Sequence, residues 1–167
     1  SHQVASSSQS SSSSRQPAAT KSTGHVVVFD QQYQHTWYSY SADDQTDHTL
    51  AFNANSVNYD NGKPPPVYSI NERTAADKAY CQKLNANPPD QAKMGWGAAT
   101  DIKDDDGVSY INVRGWYQTA GDGSYYRIVT RNLDGQSQPV LETASGAGLW
   151  VDSNYYLTRA LAEKYQD

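Results

Sequence analysis

The chain has 167 residues, a formal net charge of −5 and a pI near 5.2. Its Lys and Arg residues are scattered, which argues against nucleic acid as a partner, because neutralising phosphates needs a concentrated cationic face. The single cysteine, Cys81, rules out an intramolecular disulfide, and no apolar run approaches the length of a membrane span.

Nine of the first fourteen residues are Ser, and the tract continues through Arg15 and Pro17 with no apolar side chain larger than Val4. Such a segment cannot offset its ordering entropy, so residues 1–23 read as a disordered linker. Residues 24–167 read as the globular part, divisible into 24–87 and 91–167.

His25 to Phe29 is a β-branched run and the first expected strand. Thr36 to Ser41 is the second, and the acidic turn Asp43–Asp47 leads to Leu50–Ala54, where apolar and polar residues alternate. Val57 and Tyr59 continue the β character with opposite parity, which predicts a bulge or break near Asn55-Ser56. Asn61-Gly62 is a hairpin signal, and Pro64-Pro65-Pro66 then marks an edge or loop before Val67–Ile70. Thr74 reads as the N-cap of a short helix over 74–84, with Asp77 three residues on and Cys81 as a small core thiol. Asn87–Asp90 ends that element.

The richest stretch follows. Asp106-Gly107, Asp122-Gly123 and Asp134-Gly135 punctuate runs of Val, Ile, Thr, Tyr and Trp. They predict successive hairpins, with strands near 96–103, 108–118, 124–133, 136–144 and 149–156. Leu157, Leu161 and Tyr165 repeat every four residues and predict a terminal helix capped by Thr158. The fold class is therefore mainly β, antiparallel and hairpin-rich, with a small barrel or SH3-like carboxyl-terminal half and two short helices.

Catalytic signatures with diagnostic spacing are missing from the sequence: there is no Gly-x-Ser-x-Gly, His-Glu-x-x-His, P-loop or Cys-x-x-Cys. No cofactor or metal is expected. His35 and His48 flank a hairpin but lack ligand spacing. The acidic turn at Asp104 and Asp106 fails the EF-hand pattern and reads as solvated. Asp44, Asp101, Glu142 and Asp152 could supply a carboxylate pair for hydrolysis, though spacing singles out no pair.

Thirteen Tyr and four Trp against two Phe and one Met are the most suggestive feature. If some rings fill a core and others face outward, they make a platform for sugar rings or an extended peptide. The expected ligand-binding residues are Trp37, Tyr40, Trp116, Tyr117, Tyr125, Trp150 and Tyr155.

His35-Thr36-Trp37-Tyr38, Leu50–Ala54, the run from Val113 to Tyr126, and closing Trp150 with Tyr155-Tyr156 together resemble uncharacterised secreted proteins and lipoproteins of lactic acid bacteria. The likeness spans about residues 24–165, with His35 where those proteins carry Gly. It implies an extracellular location, attached to the cell membrane or wall through an upstream lipid or wall anchor, and brings no catalytic residues. The expected function is a non-enzymatic binding or structural module contacting peptidoglycan, another polysaccharide or a surface protein. The alternatives are an envelope hydrolase using two carboxylates and a small-ligand carrier with a barrel pocket.

Overall fold

Strand-forming runs separated by tight turns have one economical way to bury their apolar faces, which is to curl a sheet around them. The computed structural model, which describes residues 21–22, 24–83 and 87–166, shows this arrangement. The linker expected over 1–23 lies outside the described residues except for Lys21–Ser22, which forms β1 and pairs with β2 (His25–Val26).

The main sheet has nine strands: β3 (Thr36–Ser41), β4 (Thr46–Asn53), β5 (Ser56–Tyr59), β6 (Val67–Ser69), β7 (Gly97–Lys103), β8 (Ser109–Gly115), β9 (Ser124–Leu133), β10 (Gln136–Ser145) and β11 (Trp150–Tyr156). Their order is β5-β4-β3-β11-β10-β9-β8-β7-β6, a nearly closed barrel. The five strands expected after residue 95 are all present and form one continuous part of the sheet. Strands from before Asn87 complete it, because β3 pairs with β11 and β6 pairs with β7. At the seam Val67 N donates to Asn55 O (2.9 Å), while Asn55 Nδ2 donates to Val67 O (3.1 Å) and Val26 O (2.9 Å).

Several local expectations change in register or partner. The first strand stops at Val26, because Phe29 leaves the sheet to enter the barrel. The parity change near Asn55 is a hairpin turn between β4 and β5, not a bulge. Asn61-Gly62 makes no hairpin: Asp60 and Asn61 take the positive φ values, and the proline run then carries the chain to β6, which pairs in parallel with β7. Of the three Asp-Gly pairs, only Asp134-Gly135 has both residues at positive φ (54° and 80°), the requirement of a type I′ turn. At 106-107 and 122-123 the glycine alone does so. Gly123 (φ 72°) is also tightly enclosed, since an added Cβ would lie 2.4 Å from Val113 O. Gly123→Ala is expected to cost about 2 kcal/mol or more, read as a lowered urea midpoint with unchanged slope.

Inward positions fill the barrel. Trp37 faces Leu50, Ile111 faces Tyr126, and Leu141 lies between Ile128 and Tyr155. Phe29 and Tyr33, from the segment before β3, join Phe52 and Tyr126 in the same cluster. The amides of Val28 and Phe29 both donate to Ala54 O, and Trp37 Nε1 donates to Tyr33 O, so hydrogen bonds to backbone carbonyls hold this segment in place.

Two helices cover the outer face. In α1 (Ala75–Gln82), Thr74 Oγ1 accepts from Asp77 N and the Asp77 carboxylate accepts from Thr74 N, a reciprocal cap. The helix packs Tyr80 and Cys81 against Trp116, Tyr117 and Ala98. In α2 (Arg159–Lys164), capped by Thr158, Ala162 is buried against Leu133, Val140 and Tyr156.

Candidate functional site

An aromatic can stack on a ligand only where one face of its ring is left in water. Of the seven residues expected at a binding platform, five are buried. Trp37 and Tyr155 lie inside the barrel, Trp116 and Tyr117 lie beneath α1, and Tyr125 packs with Tyr110 and Ala144 on the outer face. Tyr40 is half-buried in the cluster under α2. Every Tyr and Trp between residues 108 and 143 is buried, so the outward shelf expected of that stretch does not form. Alternation does place rings outside the barrel, but α1, α2 and neighbouring side chains cover them. The Arg127 guanidinium, for instance, lies 5.0 Å from the Tyr110 ring centroid.

Trp150 is the exception, at 67% exposure. It opens β11, directly after the four-residue loop Gly146-Ala147-Gly148-Leu149 that joins it to Ser145. The ring lies against that loop: a Cβ added at Gly148 would meet the indole at 2.5 Å, and one added at Gly146 would meet it at 2.7 Å. Both glycines are therefore required by the ring's position, and they leave its other face in solvent. Leu149, with φ 51°, holds a conformation unfavourable for a branched residue. Strain of this kind collects where a loop must present a side chain in a set orientation.

Polar groups border the platform. Ser145 Oγ donates to Asp152 Oδ1 (3.0 Å). A shallow cleft of about 270 Å³ opens beside the loop between Ala147-Gly148-Leu149 and Lys103-Asp104-Asp105, with Tyr125 at its base. Asp104 Oδ1 accepts from Asp106 N (3.0 Å) and Val108 N (2.7 Å), which makes it the lock of the β7–β8 turn. An exposed indole with the Ser145 hydroxyl and the Asp152 carboxylate close by in β10 and β11 suits the apolar face and hydroxyl edge of a pyranose.

Glu142 and the two hairpin histidines have partners within the fold. Glu142, a carboxylate considered for hydrolysis, is buried between Arg127 Nε and Arg131 Nη2, both at 2.5 Å. His48 Nδ1 lies 2.9 Å from Asp60 Oδ2 and the ring is stacked on Tyr59, whereas His35 packs against the edge of Trp37. The two histidines thus have different partners. Among the described residues no three His, Cys, Asp or Glu side chains cluster as metal ligands, and no helix is long and apolar enough to cross a membrane.

No protein-family model, curated protein or solved structure matches this chain. A functional reading therefore rests on geometry and chemistry. The sequence pointed to Trp150 but not to what distinguishes it from the other rings. The one local signal was its company: Gly-Ala-Gly-Leu before it leaves no bulky side chains to cover an indole.

Proposed function

We propose that this chain is a non-catalytic binding module of the cell exterior, tethered by its Ser-rich amino-terminal segment, that engages polysaccharide through the Trp150 hairpin. The observation that carries this reading is the Trp150 ring, held against Gly146 and Gly148 with its outer face free. Holding the ring in advance reduces the side-chain entropy lost on binding. The acidic charge and the resemblance to secreted proteins and lipoproteins support an extracytoplasmic setting, with peptidoglycan or another wall polysaccharide as the natural ligand.

The test is co-sedimentation with purified peptidoglycan and a panel of insoluble polysaccharides, followed by tryptophan fluorescence titration with soluble fragments. Trp150→Ala is expected to weaken binding about tenfold or more while shifting stability by no more than about 0.5 kcal/mol, as befits an exposed side chain. Retention on none of the polysaccharides, or equal retention of the wild type and Trp150→Ala, would remove the proposal.

A further inference from the structure

Both lysines that form salt bridges among the described residues are held in the same way. Lys93 Nζ pairs with Asp77 Oδ2 at 3.1 Å and lies 5.7 Å from the Trp96 ring centroid and 6.0 Å from that of Trp116. Lys164 Nζ pairs with Asp134 Oδ1 at 2.6 Å and lies 5.7 Å from the Tyr165 ring centroid. In each place one ammonium satisfies a carboxylate and an aromatic face together, because both attract positive charge.

The Trp150 hairpin has the ring and the carboxylate without the cation. Trp150 and Ser145 are cross-strand partners, so their side chains leave the same face of the β10–β11 ribbon. The register shifts between Thr143 and Ala144, which leaves Asp152 as the residue of β11 with no opposing residue in β10. Ser145 Oγ donates to Asp152 Oδ1 (3.0 Å), and this bond sets the exposed carboxylate on the face that carries Trp150, two residues along the strand.

Among the described residues Asp152 takes part in no salt bridge, and no Lys or Arg stands over the Trp150 ring. The sequence supplies the reason: no Lys, Arg or His occurs between Arg131 and Arg159. An anionic polymer would meet Asp152 here and a net charge of −5 on the chain as a whole. A neutral sugar hydroxyl would bond the carboxylate but leave its charge uncompensated. An ammonium supplies both the hydrogen bond and the charge.

We propose that the sugar recognised at Trp150 is an amino sugar whose amine is free and charged. Its ring lies on the indole, and the ammonium, projecting at the edge of the stacked ring, pairs with Asp152. The positive charge also draws electron density from the neighbouring C–H bonds and so strengthens their attraction to the π face. This inference rests on Trp150 as the binding platform and adds the charge of the sugar it takes.

The experiment is calorimetric titration of the intact chain with a glucosamine tetrasaccharide, its fully N-acetylated counterpart, and tetralysine. The free-amine sugar is expected to bind at least about tenfold more tightly than the acetylated one at low salt, and the gap is expected to narrow as salt is added. Asp152→Asn, whose amide oxygen still accepts from Ser145 Oγ, is expected to bring the two sugars to equal affinity without moving the melting curve. Equal affinity for the two sugars in the wild type, tighter binding of the acetylated one, or an unchanged preference in Asp152→Asn would each overturn the ammonium assignment and leave the Trp150 platform standing. No heat with the free-amine sugar at millimolar concentration would also overturn it, and the platform falls with it only if the polysaccharide panel is empty as well. Tetralysine binding as tightly as the free-amine sugar would overturn the sugar in favour of a basic peptide.

Discussion

Asp77→Ala is expected to destabilise the protein by about 3–5 kcal/mol, the range seen when one partner of a buried charged pair is removed. The Asp77 carboxylate is 1% exposed and gathers donors from three parts of the chain. Oδ1 accepts from Tyr117 Oη (2.6 Å), and Oδ2 accepts from Thr74 N (3.0 Å), Lys93 Nζ (3.1 Å) and Trp116 Nε1 (3.3 Å). Removing it strands these donors and frees α1 from the sheet. Thr74→Ala is the control: it removes only the hydroxyl's half of the cap, the bond from Asp77 N, and is expected to cost about 1 kcal/mol. Urea denaturation of the two variants separates the cap from the buried network. Similar losses would show that Asp77 acts only as a capping residue.

The same network has a pH signature. Burial by itself would raise the Asp77 pKa, but hydrogen bonds from Tyr117, Thr74, Lys93 and Trp116 outweigh it and hold the carboxyl well below the usual carboxylate range. Because the folded-state pKa is lowered, the stabilisation is full above the unfolded value of about 4 and is lost as the pH falls below it. Tyr117 shifts the other way: burial, and then the Asp77 carboxylate, push its phenol up. Tyr33 is pushed up to about 12, mainly by burial. Raised phenols contribute stability that is present below the unfolded value of about 10 and is lost as the pH rises above it. A stability profile across pH should therefore fall below about 4 and above about 10. Asp77→Ala should flatten the acid limb.

Phe29→Ala is expected to cost about 3–5 kcal/mol, the range for deleting a fully buried aromatic ring. Phe29 has no solvent exposure. Its ring centroid lies 4.9 Å from Phe52 and 6.4 Å from Tyr126, both edge-on. Because the residue comes from the segment ahead of β3, its removal opens a cavity in the barrel interior that surrounding strands, bonded to their neighbours, cannot collapse to fill. Val26→Ala tests the specificity of this effect: Val26 sits in the same segment but is exposed, and its loss is expected within about 0.5 kcal/mol. A cost for Phe29→Ala close to that of Val26→Ala would show that the segment contributes little to the core.

The strands from residue 97 to 156 were legible because hairpins are local. A turn residue and a period of two decide them within about ten positions, and the expected limits fall within a few residues of β7 to β11. The caps of both helices were legible for the same reason, since Thr74 and Thr158 act on amides three residues away. The parallel pairing of β6 with β7 was not. Its partners are separated by α1 and by the loop that follows, and nothing in the local pattern distinguishes a parallel neighbour from a hairpin neighbour.

The candidate sites show the same division. Trp116 and Trp150 both sit in glycine-containing, strand-rich sequence, yet one is 1% exposed and the other 67%. Trp116 is covered because α1 and Lys93 pack over it, contacts made across more than twenty residues of sequence. The Trp150 ring rests on glycines within four residues of itself, and nothing distant covers it. The sequence alone determined the strands from β7 to β11 and the helix caps, because those depend on backbone angles and hydrogen bonds between near neighbours. Only the tertiary structure decided which rings face water, because burial is set by whichever distant element reaches a face first.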